Sequence, residues 1–160
     1  MPVVVRPMQA AESRRFLEIH HESVWGLAAN DYPTAVIDAW APPLNAERLD
    51  RFLQNRDNEI RWIAEVGGEA VGIGALVVAN AELRACYVLP EAARRGIGTA
   101  LVAEIERLAR QHGIRDLRLE SSVNAEPFYA ALGYRVEKRG EHTIAPGVNM
   151  AAFKMRKELT

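Results

Sequence analysis

The sequence is short of several things at once, and each shortage excludes something. It holds a single cysteine, Cys86, so no internal disulfide can form and a disulfide-stapled scaffold is ruled out; an unpaired thiol agrees with a reducing compartment. Its acidic and basic side chains nearly cancel, leaving a formal net charge of −1. That excludes the broad positive field by which proteins hold nucleic acid or an anionic membrane. Any anion site must therefore be local. No apolar run approaches the ~20 residues of a membrane-spanning helix. The opening MPVVVRPMQA lacks a basic segment followed by a long apolar core, as a secretory signal would require. Repeats, low-complexity tracts and a metal-binding motif are also missing. The expectation is a soluble, cytoplasmic protein with no nucleic-acid or membrane partner.

What is present suits one domain spanning residues 1–160, long enough to bury well over half of the surface its unfolded chain exposes. Val3 to Arg6, closed by Pro7, reads as a strand. From Ala10 to Ala28 the apolar positions Phe16, Ile19, Val24 and Leu27 share one helical face, with Arg14, Arg15, Glu18 and Glu22 off it. Thr34 to Trp40 forms a second helical patch between prolines, and Asn45 can cap a third through Leu49, Phe52 and Leu53. Glu59–Val66 and Glu69–Val78 flank Gly67 and Gly68, a hairpin turn, and Glu82–Leu89 is a third strand. A helix with the stripe Ile97, Leu101, Ile105 and Leu108 runs to a stop near Gly113. Asp116–Ser121 follows as a strand, so the strands on either side of that helix are expected to be parallel, joined by a right-handed crossover. A short helix (Ala125–Leu132) and strands near Tyr134–Glu137 and Ala151–Met155 complete an α+β class, a mixed, mostly antiparallel sheet with helices on both faces.

The segment LPEAARRGIGTALVAEIERLARQHG sets two arginines and two glycines directly before a helix. The first amides of a helix have no partner inside it, and the macrodipole adds partial positive charge there. Glycines at 96 and 98 remove β-carbons that would keep a large anion away, and Arg94 and Arg95 supply forked donors suited to phosphate oxygens. These residues describe a phosphate cradle, or else a turn that two arginines decorate. The nucleotide P-loop is excluded because GIGTAL lacks its Lys-Ser/Thr pair, and the dinucleotide fingerprint because Leu101 stands where a third glycine is needed.

The downstream residues decide between these. The strand end CYVLP (Cys86–Pro90), the loop ARRGIG (Ala93–Gly98) and the later FYAALGY, with Phe128, Tyr129, Gly133 and Tyr134, together resemble the GCN5-related N-acetyltransferase (GNAT) superfamily. The resemblance covers roughly residues 59 to 156. It implies a GNAT-like fold and transfer of an acetyl group from acetyl-coenzyme A to a primary amine by direct attack. It also implies a coenzyme site made of backbone groups at Cys86, Tyr87 and Val88, the cradle Arg94, Arg95, Gly96, Ile97, Gly98 and Thr99, and contacts from Ser122 and Asn124. Two positions depart from the pattern: Ala93 replaces the signature's opening Arg/Gln, and Ser122 falls where many relatives carry asparagine, with Asn124 two residues on. Self-association as a homodimer, frequent among relatives, is a further expectation.

Direct attack raises two proton questions. An alkyl amine with pKa near ~10.4 is mostly cationic at neutral pH, so a base or water relay is useful. A departing thiolate of pKa ~8.5 needs a proton, which a tyrosine near ~10 can supply. The resemblance puts Tyr129 in the position of the general acid and Glu82, six residues before Val88, in that of the base, with Glu120, Glu22, His20 and His21 as fallbacks. Cys86, among apolar neighbours, reads as an inert buried thiol. For the acceptor, Trp25, Tyr32 and Trp40 offer either an aromatic wall or simple core caps, facing a loop at Gly140–Met150. A small-molecule or peptide amine is expected. A non-catalytic acyl-coenzyme A sensor, or a domain for another phosphorylated ligand, stands as the alternative.

Overall fold

A computed structural model describes residues 2–160. The first strand, β1 (Val3–Pro7), is anchored by Arg6, which donates to Glu12 at 2.8 and 2.7 Å and to Glu65 at 3.1 Å. Glu12 in turn accepts from the Gln9 amide at 2.9 Å, closing the turn that opens α1 (Ser13–Leu27). The Arg6 hydrogen bonds hold the Glu12 carboxyl at about 2, below the ordinary carboxylate range. After α2 (Thr34–Trp40) comes α3 (Ala46–Gln54), capped by Asn45, whose side chain accepts from the Arg48 amide.

β2 (Ile60–Val66), β3 (Glu69–Val77) and β4 (Glu82–Val88) form an antiparallel meander. α4 (Ile97–Gln111) crosses over to β5 (Asp116–Ser122), α5 (Glu126–Ala131) comes next, and β6 (Arg135–Ala145) and β7 (Val148–Glu158) make the last hairpin. The seven strands lie in the order β1-β2-β3-β4-β5-β7-β6, and only β4 and β5 are parallel. This is the mixed, mostly antiparallel α+β architecture that the sequence pattern indicates. α1 and α4 both pack on β3 and β4, and because strand side chains alternate in direction they cover opposite faces. A β-carbon at Gly72 or Gly74 would meet Ile97, Leu101 or Ile105 of α4, while Ile73 and Ala75 serve the other face. Ile19, Ile63, Ile73, Leu101, Ile105 and Leu117 are fully buried in this core, each contributing roughly 1.5–3 kcal/mol of transfer free energy. No helix among the described residues is long and apolar enough to cross a membrane.

The final hairpin corrects the sequence reading. Gly140–Met150 is not a loop: β6 continues to Ala145 and β7 begins at Val148, with Gly147 at φ +73° in the turn. β6 is solvent-exposed over most of its length, so both faces are polar and no alternation marks it as a strand. Its outer half projects past the end of β5 and packs on a second apolar cluster of Val24, Ala28, Tyr32, Val36, Ile37, Ala41 and Met150.

The feature that positions the site is a fork in the sheet. β4 and β5 share a single registered pair, Glu82 with Arg118, reinforced by the Arg118 amide donating to Ala81 O at 2.8 Å. Past it the strands part. The register of β4 on β3 slips at the same place, Leu83 facing Leu76 and Ala85 facing Ala75, so Arg84 is an extra, bulged residue. Bulges bend a strand and increase its twist, and here the bend opens the sheet.

Candidate active site

Two connected spaces occupy the fork. A narrow slot of about 110 Å³ lies between β4 and the start of α5, under α1, and is lined by Ser23, Trp40, Cys86, Tyr87, Asn124 and Tyr129 among others. A wider cleft of about 380 Å³ opens from it toward the last hairpin, lined by Trp40, Glu82, Glu120, Ser122, His142 and Ile144 with their neighbours. Trp40, Arg84, Tyr87, Glu120 and Ser122 border both.

The slot collects Tyr129 and several of the expected coenzyme contacts. Cys86, Tyr87 and Val88 line it, and past Glu82 the main-chain groups that β4 directs toward β5 have no strand partner. They are free donors and acceptors. Tyr129 is buried, and burial, with Cys86, Tyr87 and Tyr134 close by, pushes its phenol well above the ordinary value, so it keeps its proton at neutral pH. Burial pushes the Cys86 thiol up to about 12, which makes it inert, as expected. Two buried side-chain oxygens lack a hydrogen-bond partner among the described residues, Ser23 Oγ and Asn124 Oδ1, and both line this slot. A buried polar atom left unpaired costs roughly 1–3 kcal/mol. One oxygen can donate and the other only accepts, so the pair fits a ligand bearing both a carbonyl and an N–H, as an amide does.

The segment read as a phosphate cradle lies at the start of α4. Gly96 caps the helix at φ +81° and Arg94 sits at φ +62°, a left-handed conformation that costs a non-glycine residue about 1–2 kcal/mol. The first intrahelical bond runs from the Ala100 amide to Gly96 O at 3.0 Å, so the amides of Ile97, Gly98 and Thr99 stay unpaired within the helix. Arg94 and Arg95 are exposed. Gly98 also makes a close packing contact. Its missing β-carbon makes room for Phe128, whose ring it would meet at 3.0 Å, and this close approach brings the segment carrying Tyr129 against α4. Ile97 buries its side chain in the core, 1% exposed, and offers only its amide.

Of the candidate bases, Glu82 lines the cleft but its Oε1 accepts from Arg84 at 3.0 Å. Arg84 also holds Asp57 at 2.9 Å and Glu59 at 3.3 Å. Glu120 faces both spaces and pairs with His142 Nδ1 at 2.9 Å. His20 and His21 are structural. His20 stacks edge-on against Tyr87 at 4.7 Å and accepts from Arg48 at 3.0 Å, and burial, with Arg48 and His21 nearby, lowers its imidazole to about 3. His21 bonds Ala41 O at 2.8 Å, and Glu22 pairs with Arg15. The three aromatics separate as well. Trp40 lines the cleft, whereas Trp25 donates to Ala41 O at 2.9 Å. Tyr32 donates to Ala151 O at 2.6 Å and accepts from the Val123 amide at 2.8 Å, stitching the hairpin to the end of β5.

Ser23, Arg84 and His142 line these spaces without a signal in the sequence. His142 lies in the stretch without alternation, and Ser23 is one serine on an amphipathic helix.

The family model for an acetyltransferase (GNAT) domain matches residues 28–159. A peptidyl-lysine N-acetyltransferase of Escherichia coli, YiaC, is 30% identical over 137 residues, covering 83% of this chain and 84% of its own. A spermidine N(1)-acetyltransferase of Thermoplasma acidophilum is 25% identical over 147 residues, covering 86% and 91%. Among solved structures, a GCN5-related N-acetyltransferase from Rhodopseudomonas palustris superimposes with a TM-score of 0.91 at 28% identity, covering 99% and 97% of the two chains. The PaiA N-acetyltransferase of Thermoplasma acidophilum, in complex with coenzyme A, gives 0.78 at 22% identity, covering 99% of each.

Proposed function

Because the chain belongs to the GNAT acetyltransferase family, whose model spans residues 28–159, we propose that it moves an acetyl group from acetyl-coenzyme A to a primary amine by direct attack. One observation carries the reading: the fork between β4 and β5 leads from unpaired strand backbone to a buried, protonated Tyr129.

Each part then has a task. The amides of Ile97, Gly98 and Thr99, with Arg94 and Arg95, hold the diphosphate of the coenzyme, since a helix start and forked guanidinium groups favour phosphate oxygens. Free β4 groups at Cys86–Val88, with Ser23 and Asn124, meet the amide-bearing arm, and Ser122 borders its path. The coenzyme supplies an activated thioester carbonyl. A preorganised β4 amide directed at the oxyanion is worth several kcal/mol, about 2.7–4 for a single donor. Tyr129 gives its proton to the departing sulfur. At Ala93 no long side chain reaches the phosphates, and the neighbouring arginines take that load.

The acceptor enters the cleft, where Glu82 and Glu120 favour a cation and Trp40 and Tyr87 offer aromatic surface. Two relatives are named for acting on a peptidyl lysine and on spermidine, both primary amines carried as cations, and a small-molecule or peptide amine of this kind suits the same lining.

Thiol release from acetyl-coenzyme A against a panel of amines tests the proposal. Turnover with at least one cationic amine is expected. Binding of the coenzyme without turnover on any amine would favour the non-catalytic sensor. Replacing Arg94 and Arg95 together by alanine is expected to weaken coenzyme binding roughly tenfold and flatten its salt dependence, the signature of lost phosphate contacts. Unchanged affinity would remove the cradle from the proposal.

A further inference from the structure

We propose that the proton of the acceptor ammonium is received by the Glu120–His142 pair, and that Glu82 serves to draw the cation in. This rests on the acetyltransferase reading and assigns a step within the same site.

Three observations carry it. First, Glu120 is the acidic side chain that borders both the slot holding Tyr129 and the cleft by which an acceptor enters. Glu82 borders the cleft and not the slot. The attacking nitrogen must reach the junction of the two spaces, and Glu120 is at that junction. Second, the two carboxylates differ in their partners. Glu82 already accepts from the guanidinium of Arg84 at 3.0 Å and from Asn80 at 3.5 Å, both on Oε1, so that oxygen is engaged. Glu120 pairs with an imidazole, His142 Nδ1, at 2.9 Å, a partner that itself takes up a proton. Third, His142 is 51% exposed at the cleft rim, so a proton placed on it can pass to water.

Reference acidities set the chemistry. A lone glutamate lies about six pH units below an alkyl ammonium, and an imidazole about four. With the neutral ring's proton on Nε2, Nδ1 is free to accept a proton from the carboxyl group, and the carboxylate stabilises the imidazolium once formed. The ammonium gives one proton to the Glu120 carboxylate, which relays it to His142 Nδ1, and the nitrogen's freed lone pair forms the C–N bond to the acetyl carbonyl carbon. The C–S bond breaks with its electrons on sulfur, and Tyr129 protonates that sulfur. The second nitrogen proton leaves with the tetrahedral adduct and restores the phenol through the site or solvent. The net products are an amide, a free thiol and one proton delivered to water.

Other charged groups face Glu120 and set its background. They are Glu82 and Arg84 from β4, Arg118 beside it on β5, Lys154 directly across on β7, and Glu137 from β6. All of them are retained in the Glu120 and His142 variants, so their contribution is common to parent and variant there.

The experiment compares the parent with Glu120→Gln, His142→Gln and Glu82→Gln. It measures kcat and KM from pH 6 to 10 with two acceptors, a strongly basic alkyl amine and a weakly basic amine that is already neutral at pH 7. With the alkyl amine at pH 7, Glu120→Gln and His142→Gln are each expected to lower kcat/KM about 100-fold, within the usual range for general-base catalysis. The deficit should shrink as pH approaches 10 and fall below about threefold with the weakly basic amine. A side chain that merely shapes the cleft would not produce that dependence. Glu82→Gln is expected to raise KM for the cation several-fold with little change in kcat. The inference is overturned if Glu120→Gln and His142→Gln keep parental rates, if their deficit is the same for both acceptors at every pH, or if Glu82→Gln alone shows the pH-dependent loss. A parent that binds acetyl-coenzyme A yet acetylates neither amine overturns the acetyltransferase reading and this step with it. Circular dichroism on each variant separates misfolding from lost chemistry, and a misfolded glutamine variant is replaced by Glu120→Asp, expected to recover part of the rate.

Discussion

The molecule holds two glutamate–tyrosine settings whose tyrosines, Tyr129 and Tyr134, are near neighbours in sequence, and they are opposites. At the back of the sheet, Glu106 of α4 is 6% exposed and every oxygen is used. Tyr134 donates to it at 2.8 Å, Lys157 reaches both oxygens at 3.0 Å, and Arg110 lies at 3.6 Å. At the front, Glu120 and Tyr129 line a slot where Ser23 and Asn124 leave buried oxygens without partners. The first cluster is closed and ties α4 to β7 and to the end of α5. The second is open and keeps its polar groups for a visitor. Satisfaction of hydrogen bonds, more than residue type, separates a structural carboxylate from a functional one.

That contrast can be broken from either side. The largest effect is expected from Glu106→Ala, which leaves Lys157 and the Tyr134 hydroxyl facing a gap. Removing one member of a buried ion pair costs about 3–5 kcal/mol, so chemical denaturation should show a loss of that order, and any folded fraction should retain kcat. Next, Tyr129→Phe should leave the denaturation midpoint nearly unchanged and lower kcat about 100-fold, or about 2.7 kcal/mol in the barrier. A variant with undiminished kcat would remove the phenol from the proton-donor role. Its counterpart Tyr134→Phe should cost about 1 kcal/mol of stability with kcat unaltered.

The effect that is smallest near neutral pH concerns protonation and separates the fold from the site. Burial holds His20 near 3 in the folded protein, below its unfolded value of ~6.5. Above ~6.5 both states are neutral and nothing is lost; as pH falls below it the unfolded chain gains a proton that the fold refuses. Stability should therefore decline between ~6.5 and about 3, by about 1 kcal/mol over the first unit. His20→Gln, which keeps an acceptor for Arg48, should flatten this slope, and equal slopes in parent and variant would refute the assignment. Glu12, held at about 2 by Arg6, adds stability that is fully present above its unfolded pKa and is lost as pH falls through that lower value.

How far the chain could be read in advance depended on how local each signal is. The candidate cradle and Tyr129 could be singled out because their residues lie close in sequence: two arginines stand directly before Gly96 and Gly98, and FY stands a few residues before GY. Periodicity marked the buried stripe of α4, and Gly67 and Gly68 marked the turn between β2 and β3, for the same reason. The outer half of the last hairpin escaped because β6 is polar and exposed from Glu137 to Thr143. With it went His142, which meets Glu120 only after β7 has been inserted between β5 and β6. The ring of Phe128 against Gly98 went unforeseen, since nothing near that glycine in sequence announces it.

The order of residues alone determined the helix start that favours an anion, the inert cysteine and the succession of strand, crossover and strand, since these arise from dihedral preferences, dipoles and short-range patterning. Only the folded chain decided that β4 and β5 part at Arg84, which oxygens are left without partners, and which glutamate meets a histidine. Those depend on a bulge in one strand and on pairings between distant segments, whose energies do not exist until the segments touch.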